Sequence, residues 1–446
     1  MLVREMAAEG IRFFAATDVG RIREHNEDNF LVDKKLQLFM VADGMGGHAA
    51  GEVASAMAVR IIHEEVKRER EMLNDFVRGN RGTARVTTTD VVTLLEHAVQ
   101  RACSKIHEEA QADPSKRGMG TTMSLILVLA QQGFIAHVGD SRIYMLRAGR
   151  VQQVTEDHTV FNELIKRGKL TAEQVAKVAQ KNAITRAVGV YERVEVDTLV
   201  MELLPGDQFL LASDGLTGYL ESPDELAPLL QRDGDESMAS LIALANQRGG
   251  KDNITCVNLR LVGDASEDRA QRLALKREVL AKMPLFARLT ERELLRVMQA
   301  VQVREFVDNQ IVITEGDRGD ELFIVLRGQV TIMRGGEVMT RLGAGEHFGE
   351  MALIRSVPRS ATVVSDGRSE LIAIRRLDFF EILRNEHEIA VKMLWQFLGV
   401  LADRLDHTSS ELRQAKEEIN AHVEDETVEI YAVSESEHAS PFPRRP

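Results

Sequence analysis

The sequence has few cysteines, an excess of acidic over basic residues and no long apolar run. Its two cysteines, Cys103 and Cys256, are too few for a disulfide framework, which favours a reducing compartment. A net charge of −13 argues against nucleic acid or an anionic membrane as the main partner. The longest apolar run, residues 125–130, is too short to span a bilayer, and residues 1–10 lack the apolar core of a secretory signal. We therefore expect a cytoplasmic protein with no membrane segment.

What the chain does contain is enough apolar material for packed cores. Of its 446 residues 44% are hydrophobic, and a chain of this length is expected to form two or three domains. Up to residue 262, predicted strands follow one another in groups and so do predicted helices, which favours an α+β fold with antiparallel sheets. Beyond residue 263 the pattern changes to a helix over residues 269–283 and then to short strands with turns at glycines.

Four aspartates stand where predicted strands begin or end near glycine. They are Asp43, Asp140 and Asp214, each after an apolar run, and Asp252, which precedes one. Glycine lets a ligand approach the backbone closely, so Asp43 and the Gly44 carbonyl are predicted to face something small at the end of their strand. Carboxylates gathered at one rim of a sheet repel one another and raise each other's pKa unless a cation lies among them.

These acids therefore indicate a metal site. No cysteine and no pair of histidines has ligand spacing, and ligation by oxygen alone selects Mg²⁺ or Mn²⁺ over Zn²⁺. Two such ions sharing Asp43 would hold and acidify a water between them, which suits attack on a phosphate ester. Two rival motifs are incomplete: no Gly-Lys-Ser/Thr follows the glycines of residues 44–51, and Ser141 lacks the glycines of a nucleophile elbow.

An arginine and two further acids precede these strands, in residues 18–28. The guanidinium of Arg23 is suited to fork-shaped recognition of phosphate oxygens, and Glu27 and Asp28 are within reach of a metal or its waters. The alternative interpretation is a polar loop with local ion pairs. The mostly polar residues 156–189 are either a flap over the site or an ordinary surface excursion.

Taken in order, these motifs resemble the metal-dependent serine/threonine protein phosphatases of the PPM (type 2C) family. The shared pieces are Arg23 with Glu27-Asp28, Asp43-Gly44-Met45-Gly46-Gly47, Gly120-Thr121-Thr122, Gly139-Asp140-Ser141-Arg142, Ser213-Asp214-Gly215 and Asp252-Asn253. The resemblance covers residues 11–262. It implies an αββα sandwich with a metal site between its sheets, and in-line hydrolysis of phosphoserine and phosphothreonine by a metal-bridged hydroxide. The implied partners are phosphorylated proteins and a serine/threonine kinase system.

The resemblance also implies a role for each residue. The catalytic residues would be Arg23, which binds the substrate phosphate, Asp43, Asp214 and Asp252. The metal ligands would be Glu27, Asp28 (as a ligand or as a partner of metal waters), Asp43, the Gly44 carbonyl, Asp140, Asp214 and Asp252. One ion would be held by Asp43, Asp214 and Asp252. Asp43 would also hold the other ion, together with Glu27 and Gly44.

Two positions depart from the family. Met45 stands where many eukaryotic relatives have a histidine proposed as proton donor, which leaves the acid for the leaving group unassigned and His48 a weak candidate. Gly218 occupies a position that is acidic in many relatives. A third ion near Asp140 is therefore left open.

A second resemblance lies in residues 345–363. Glu350 precedes Arg359 by nine residues, as in the phosphate-binding cassette of cyclic nucleotide-binding domains. This implies that Glu350 accepts from a ribose 2′-hydroxyl and that Arg359 forks onto the cyclic phosphate. Backbone N–H groups from Gly349 onward would add to anion binding, and Ser360 leaves cAMP and cGMP both open. The alternative is a domain that keeps the fold without a ligand, with Arg359 paired to Glu350.

The end of the chain is predicted to be helical and acidic. A helix over residues 388–405 would cap the bound base, by the same resemblance. The apolar residues at heptad spacing are Leu398, Leu405, Leu412 and Ile419. This spacing predicts a coiled coil with a partner helix. The alternative is a frayed polar helix, because Thr408 and Ala415 are poor residues for a coiled-coil seam. Residues 411–446 are predicted to be disordered.

The predicted fold is thus an α+β αββα sandwich followed by a smaller β-roll domain with flanking helices. Its segments are a phosphatase domain (1–263), a helical linker (264–283), a cyclic nucleotide-binding domain (284–405) and an acidic helical or disordered tail (406–446). The predicted function is protein phosphatase activity with two Mn²⁺ or Mg²⁺ ions, or three, modulated by cAMP or cGMP. The alternatives are a non-catalytic sensor or scaffold that binds phosphoprotein, and a C-terminal domain that serves only for docking.

Overall fold

A computed structural model of the chain describes residues 2–8, 10–46, 50–79, 86–166, 174, 183–263, 267–355 and 357–435. The chain divides into two compact units, one formed by Met1–Arg277 with Glu291–Gln299 and the other by Glu278–Thr290 with Ala300–Pro446. Within the ranges given, no helix is long and apolar enough to cross a membrane.

Two antiparallel six-stranded sheets form the centre of the first unit. Their strands are β1 (Leu2–Ala8), β2 (Ile11–Asp18), β3 (Asp28–Asp33), β4 (Leu38–Met45), β5 (Gly120–Thr121), β6 (Met123–Leu129), β7 (Gln132–Val138), β8 (Arg142–Arg147), β9 (Arg150–Gln153), β10 (Asp197–Glu202), β11 (Gln208–Ala212) and β12 (Ile254–Leu261). One sheet has the order β1-β2-β12-β11-β8-β9. The other has the order β10-β7-β6-β4-β3, with β5 paired to β4.

The helices of this unit are α1 (Ala50–Arg68), α2 (Arg70–Val77), α3 (Thr88–Ala112), α4 (Val160–Lys166), α5 (Asp214–Thr217), α6 (Leu226–Leu230), α7 (Gly234–Gln247), the first part of α8 (Glu267–Lys282) and α9 (Glu291–Ala300). Four of them cover the outer faces of the two sheets. The α1 and α3 helices share one apolar core with the β4 sheet, and α6 and α7 share another with the β11 sheet. The predicted αββα sandwich is therefore confirmed.

The sheets pack on each other through alternate residues of each strand. Phe39 and Val41 of β4 lie in the core between the sheets, whereas Met40 and Ala42 face α1 and α3. Every residue of β6 is buried, because this strand has packed layers on both faces. A strand buried on both sides reads as a continuous apolar run rather than an alternating one. This is why the apolar runs of the sequence lead straight to the centre of the fold.

The second unit is a smaller β-roll. Its strands are β13 (Val301–Phe306), β14 (Ile311–Ile313), β15 (Glu321–Arg334), β16 (Glu337–Leu342), β17 (His347–Phe348) and β18 (Thr362–Arg375). The main sheet has the order β13-β18-β15-β16, and β14 and β17 pair with β18 and β15. The helices are α10 (Met351–Ile354), α11 (Arg376–Asn385) and α12 (His387–Glu435). The prediction of a second, β-rich domain with helices is confirmed.

One of the turns predicted at glycines is wrong. A turn was expected at Gly328, between strands over residues 321–326 and 329–333. These two strands form the single strand β15, whose pairing with β18 shifts register on both sides of Arg327, next to this glycine. Gly328 has a φ of +84°, and a Cβ there would lie 2.6 Å from the Ser369 hydroxyl oxygen. The glycine therefore forms a bulge within one strand and does not reverse the chain.

Two helices differ from the sequence analysis. Residues 291–299 of α9 belong with the first unit, although they were assigned to the nucleotide-binding domain, because the apolar side of α9 packs on the core between the sheets through Leu295. The α12 helix, which was predicted over residues 388–405, continues to Glu435 through most of the tail that was predicted to be helical or disordered. No glycine or proline interrupts residues 400–440. Residues 436–446 lie outside the described part of the chain.

Candidate metal and phosphate site

Asp28 and Asp43 lie opposite each other on neighbouring strands. They are register partners in the β3–β4 pair, so their carboxylates leave the sheet on the same side. The backbone of Asp43 is fixed by Thr122: the Asp43 N–H donates to Thr122 Oγ1 at 2.9 Å, and the Asp43 carbonyl accepts from the Thr122 N–H at 2.8 Å. Thr122 Oγ1 also lies 2.7 Å from Ser141 Oγ, which ties this strand end to the turn that carries Asp140.

Gly44 is required by close backbone packing. A Cβ at this position would lie 2.2 Å from the Gly51 carbonyl oxygen and 2.5 Å from the Glu27 carbonyl oxygen. The Gly44 N–H donates to the same Glu27 carbonyl at 3.2 Å. No side chain fits in this space, so the prediction that glycine permits a close approach applies here first to the protein's own backbone.

Asp214 joins the Asp28–Asp43 pair from the other sheet. It opens α5 directly after β11, and its carboxyl shares a hydrogen bond with that of Asp43. The preceding residue, Ser213, donates its hydroxyl to Asp28 Oδ2 at 2.8 Å. Asp28, Asp43 and Asp214, which are distant in sequence, therefore meet at one end of the two sheets.

Asp252 lies at the edge of this cluster, paired with Arg23. The Arg23 Nη2 atom is 2.8 Å from Asp252 Oδ2, and the side chains are 48% and 38% exposed. The pKa of Asp43 is affected by Asp252 as well as by Asp28, which places all three acids within electrostatic range. The structure thus brings Arg23 to the same place as the acids.

Asn253 holds the loop that supplies Arg23 and Glu27. This buried side chain accepts from the Glu27 N–H at 2.8 Å and donates to the carbonyls of Val19 and His25 at 3.0 and 2.9 Å. Asn253 belongs to one of the family motifs in the sequence, but no role was predicted for it. A buried amide that makes three bonds to backbone has no local sequence signal beyond the Asp-Asn pair that opens β12.

Asp140 is buried in the turn after β7. Gly139 has a φ of +107°, and a Cβ there would lie 2.7 Å from the Thr122 side chain, so this turn packs directly on the residue that fixes Asp43. Burial, then repulsion by Asp214, raises the pKa of Asp140 to about 7. The neighbouring Arg142 offsets this little, because its guanidinium is bound by Asp157 through three hydrogen bonds.

Burial, with repulsion between the carboxylates adding to it, raises the pKa of the other acids too. Burial raises the pKa of Asp28 to about 7, with Asp214 and Asp252 adding to it, although hydrogen bonds from Ser213 and Thr255 oppose the shift. The pKa of Asp43 is well above its ordinary value, first through burial and then through the surrounding carboxylates. Burial likewise raises the pKa of Asp214 and of Glu27. These acids are held together at an electrostatic cost.

The donor set fits divalent cations that prefer oxygen. The Oδ1 atoms of Asp28 and Asp214 are buried without a hydrogen-bond partner. Unpaired carboxylate oxygens surrounded by other carboxylates are what Mg²⁺ or Mn²⁺ binds. Among the described residues, no three Asp, Glu, His or Cys side chains are already arranged as ligands around one metal position. The Asp252 carboxylate is paired with Arg23 instead.

Other predicted site residues fall in different places. Gly218 ends α5, where its N–H donates to the Asp214 carbonyl. Met45 ends β4 and pairs with Gly120 of β5. His48 lies outside the described residues, as do residues 167–173 and 175–182 of the suggested flap. The α4 helix lies in the first part of the flap.

In the β-roll, Arg359 lies in a space bounded by two glycines. A Cβ on Gly319 would lie 2.2 Å from Arg359 Nε, and one on Gly349 would lie 2.6 Å from Arg359 Nη1. The guanidinium donates to the carbonyls of Glu321 at 2.8 Å and Gly349 at 3.4 Å. Burial lowers the pKa of Arg359, although nearby acids, among them Glu350, oppose the shift. Ser360 is exposed beside it.

Comparisons with known proteins cover both units. Residues 21–243 match the family model described as protein phosphatase 2C, and residues 303–386 match that of the cyclic nucleotide-binding domain. The serine/threonine phosphatase Stp of Listeria innocua is 39% identical over 244 residues, which are 54% of this chain and 91% of the relative. Protein phosphatase PhpP of Streptococcus pneumoniae is 36% identical over 244 residues, 54% of this chain and 93% of the relative. The solved catalytic domain of the phosphatase PstP, in complex with 2 manganese ions, is 33% identical, with 57% of this chain and 99% of that chain covered and a TM-score of 0.48.

The fold, the acidic site and these matches define a protein phosphatase domain joined to a cyclic nucleotide-binding domain. The chain belongs to the protein phosphatase 2C family. The predictions of the family, of phosphatase class and of the fusion to a nucleotide-binding domain are confirmed.

The first unit carries the phosphatase domain and is called the catalytic unit from here on. Without metal, it should lose stability as pH rises from about 4 to about 7. The pKa of Asp140 is about 7 in the folded state, and about 4 in an unfolded chain. Between these values the folded state binds more protons, so raising the pH lowers the free energy of unfolding. We expect Asp140→Asn to show a flatter decline of the thermal midpoint in EDTA between pH 4 and pH 8. Equal slopes for the wild type and the variant would contradict the repulsion argument.

Proposed function

We propose that this chain hydrolyses phosphoserine and phosphothreonine in proteins, using a pair of Mn²⁺ or Mg²⁺ ions. The observation that supports this most directly is the meeting of Asp28, Asp43 and Asp214, with two unpaired buried oxygens, beside the guanidinium of Arg23. The serine/threonine phosphatases that resemble the chain over most of their own length add support. Such substrates are made by serine/threonine kinases, and the reduced, buried cysteines are consistent with a cytoplasmic location.

In this proposal the acids divide between two ions. Asp43, Asp214 and Asp252 would hold one, and Asp43 with Glu27 and the Gly44 carbonyl would hold the other. Asp28 would ligate directly or bind the metal waters, and Asp140 would be available to a third ion. The chemistry that bound ions would supply is an acidified water for attack on phosphorus and stabilisation of charge on the phosphoryl oxygens.

The chain's own contribution is positioning. Arg23 is half exposed on a loop held by Asn253, so its guanidinium can leave Asp252 and fork onto a substrate phosphate without disturbing the fold. Ser213 orients Asp28 by donating to one oxygen, which leaves the other oxygen free of protein hydrogen bonds. The loops thus offer one cation to the substrate and the strand ends offer anions to the metals.

Replacing a carboxylate that holds a metal should remove activity. We expect Asp43→Asn and Asp214→Asn to lower kcat on a phosphothreonine peptide with Mn²⁺ by at least about a hundredfold, because each removes charge that holds the metals. The control is Asp75→Asn, an exposed aspartate of α2. A scaffold that only binds phosphoprotein would release no phosphate in any sample, including the wild type.

We propose further that the β-roll binds cAMP or cGMP and modulates the phosphatase. The support is the buried Arg359, which lies between Gly319 and Gly349 next to the short helix α10, where a cyclic phosphate would find a guanidinium and backbone N–H groups together. Gly349, Glu350, Arg359 and Ser360 would contact the nucleotide, with Glu350 accepting from the ribose. The alternative is a docking module that keeps the fold and binds no nucleotide.

Nucleotide binding should depend on Arg359 and Glu350. We expect titration calorimetry to show that Arg359→Ala and Glu350→Gln each bind cAMP or cGMP at least about tenfold more weakly, since a hydrogen bond to a charged group contributes about 1.5–3 kcal/mol. The control is Arg341→Ala, an exposed arginine of β16. Calorimetry is preferred to fluorescence because the single tryptophan, Trp395, is 67% exposed. Wild-type protein that binds neither nucleotide, or whose phosphatase rate is unchanged by both, would contradict the proposal.

The same unit offers a surface for self-association. The α12 helix exposes apolar side chains at heptad spacing, namely Leu398, Leu405 and Leu412. We propose that two copies of α12 pair along this stripe. Analytical ultracentrifugation should give a dimer for the full chain and a monomer for the Leu398→Glu, Leu405→Glu double variant. A monomeric wild type at high concentration would refute the pairing and favour a single polar helix.

A further inference from the structure

A cation outside the matched phosphatase region reaches into the catalytic unit. Arg292 lies in α9, beyond residues 21–243 and directly before β13. Its Nη1 atom is 3.1 Å from Glu156 Oε2 and its Nη2 atom is 2.5 Å from Asp197 Oδ2. The side chain is only 20% exposed. One arginine therefore bridges two carboxylates of the catalytic unit that are 41 residues apart in sequence.

The α9 helix is anchored on the catalytic unit by more than this bridge. Leu295 packs on the core between the sheets. Lys276 of α8 donates to the Met298 carbonyl at 2.8 Å, and burial lowers the pKa of this lysine. Arg277 pairs with Glu291 at the start of α9. Arg292 is thus held in a defined place and is not a mobile surface side chain.

The bridge is connected to the turn that carries Asp140. Asp197 Oδ2 lies 3.4 Å from His158 Nε2, and His158 Nδ1 accepts from the Gly139 N–H at 3.0 Å. The backbone N–H of His158 donates to the Gly139 carbonyl at 2.7 Å. Both polar backbone groups of Gly139 are therefore fixed by one histidine, and that histidine is oriented by Asp197.

Arg292 is one of the cations that stabilise the negative charge of Asp197. Asp197 is 19% exposed and contacts Arg186 at 2.9 Å as well as Arg292. Burial would raise the pKa of Asp197, but the hydrogen bond with His158 and the charge of Arg292 hold it below its ordinary value. A partly buried carboxylate that loses one of its cations is destabilised and rearranges to find another partner or water. The bond from Asp197 to His158 would be affected by that rearrangement.

We propose that Arg292 is a positioning residue for the Gly139–Asp140 turn, acting through Asp197 and His158. The metal site would then be correctly arranged only when α9 is docked on the catalytic unit. Gly139 also packs on Thr122, which fixes Asp43, so a shift of this turn reaches the shared carboxylate as well. This inference rests on the proposed metal-dependent function and adds a residue from outside the matched region to it.

The test uses the full chain and three variants. Arg292→Gln removes the charge, and Arg292→Lys keeps a charge that can pair with one carboxylate but cannot fork onto both. Arg288→Gln removes an exposed arginine just before α9 and is the control. The readouts are Mn²⁺ affinity by titration calorimetry, amide hydrogen exchange in residues 138–142 and 291–300, and kcat and KM on a phosphothreonine peptide.

We expect Arg292→Gln to bind Mn²⁺ about tenfold more weakly, as is typical when a group that supports a metal site is removed. Exchange in residues 138–142 should become faster and kcat should fall. KM should stay close to that of the wild type, because Arg23 binds the phosphate. Arg292→Lys should recover part of the Mn²⁺ affinity, and Arg288→Gln should match the wild type.

An unchanged Mn²⁺ affinity and unchanged exchange in residues 138–142, with faster exchange confined to α9, would overturn the proposal and leave Arg292 as an anchor of its helix. If Arg292→Gln does not fold, Arg292→Lys decides, because it retains a cation and should still show weaker Mn²⁺ binding than the wild type. Wild-type protein that binds Mn²⁺ but releases no phosphate would instead refute the proposed function. The calorimetry and exchange measurements would still decide the role of Arg292.

Discussion

Repulsion between buried carboxylates is the constraint on which the catalytic unit depends. Asp28 and Asp43 are forced together by strand register, and Asp214 is brought to them by the second sheet. Moving carboxylates out of water and close to one another opposes folding, so the rest of the unit must offset it. Among the described residues, the apolar cores between the sheets and on each outer face supply that excess of stability. Close packing then keeps the strand ends in place.

The unit contains a second group of acids, and the contrast between the two groups is informative. Asp197 has Arg186, Arg292 and His158 as partners, and its pKa is lowered. Asp43 is surrounded by other acids, and its pKa is raised. The charge of Asp197 is neutralised by the protein itself, which is how a structural ion-pair network is built. The acids around Asp43 lack enough protein cations for their charge, which is how a site for external cations is built.

Asp43 and Asp214 could be predicted to lie at one site because both have a strong local signal. Each follows an apolar run and adjoins glycine. In the β-roll, the signal for Arg359 is its family spacing from Glu350. The supporting residues carry no such signal. The partners of Asn253 are backbone groups more than 200 residues away, which no local pattern specifies.

The limits of helices were predicted less well, for a related reason. An amphipathic pattern shows that α9 has an apolar side, but it does not show which unit that side packs against, and Arg292 meets Asp197 only through the fold. For α12, polarity and acidity were read as disorder, although residues without glycine or proline can continue a helix that has already begun. Local sequence thus predicts that a helix is present better than it predicts where the helix ends or which unit it packs against.

The two thiols have a practical consequence for studying the molecule. Both Cys103 and Cys256 are buried and unpaired, and burial raises the pKa of each, that of Cys256 to about 12. A thiol without thiolate character reacts slowly with oxidants and alkylating reagents. The reaction proposed above uses water and no sulfur nucleophile, so peroxide concentrations that inactivate cysteine-based enzymes should leave this one active. Because the native thiols are buried, dyes can be attached selectively to two introduced, exposed cysteines, one in each unit. The distance between the two dyes can then be followed over time.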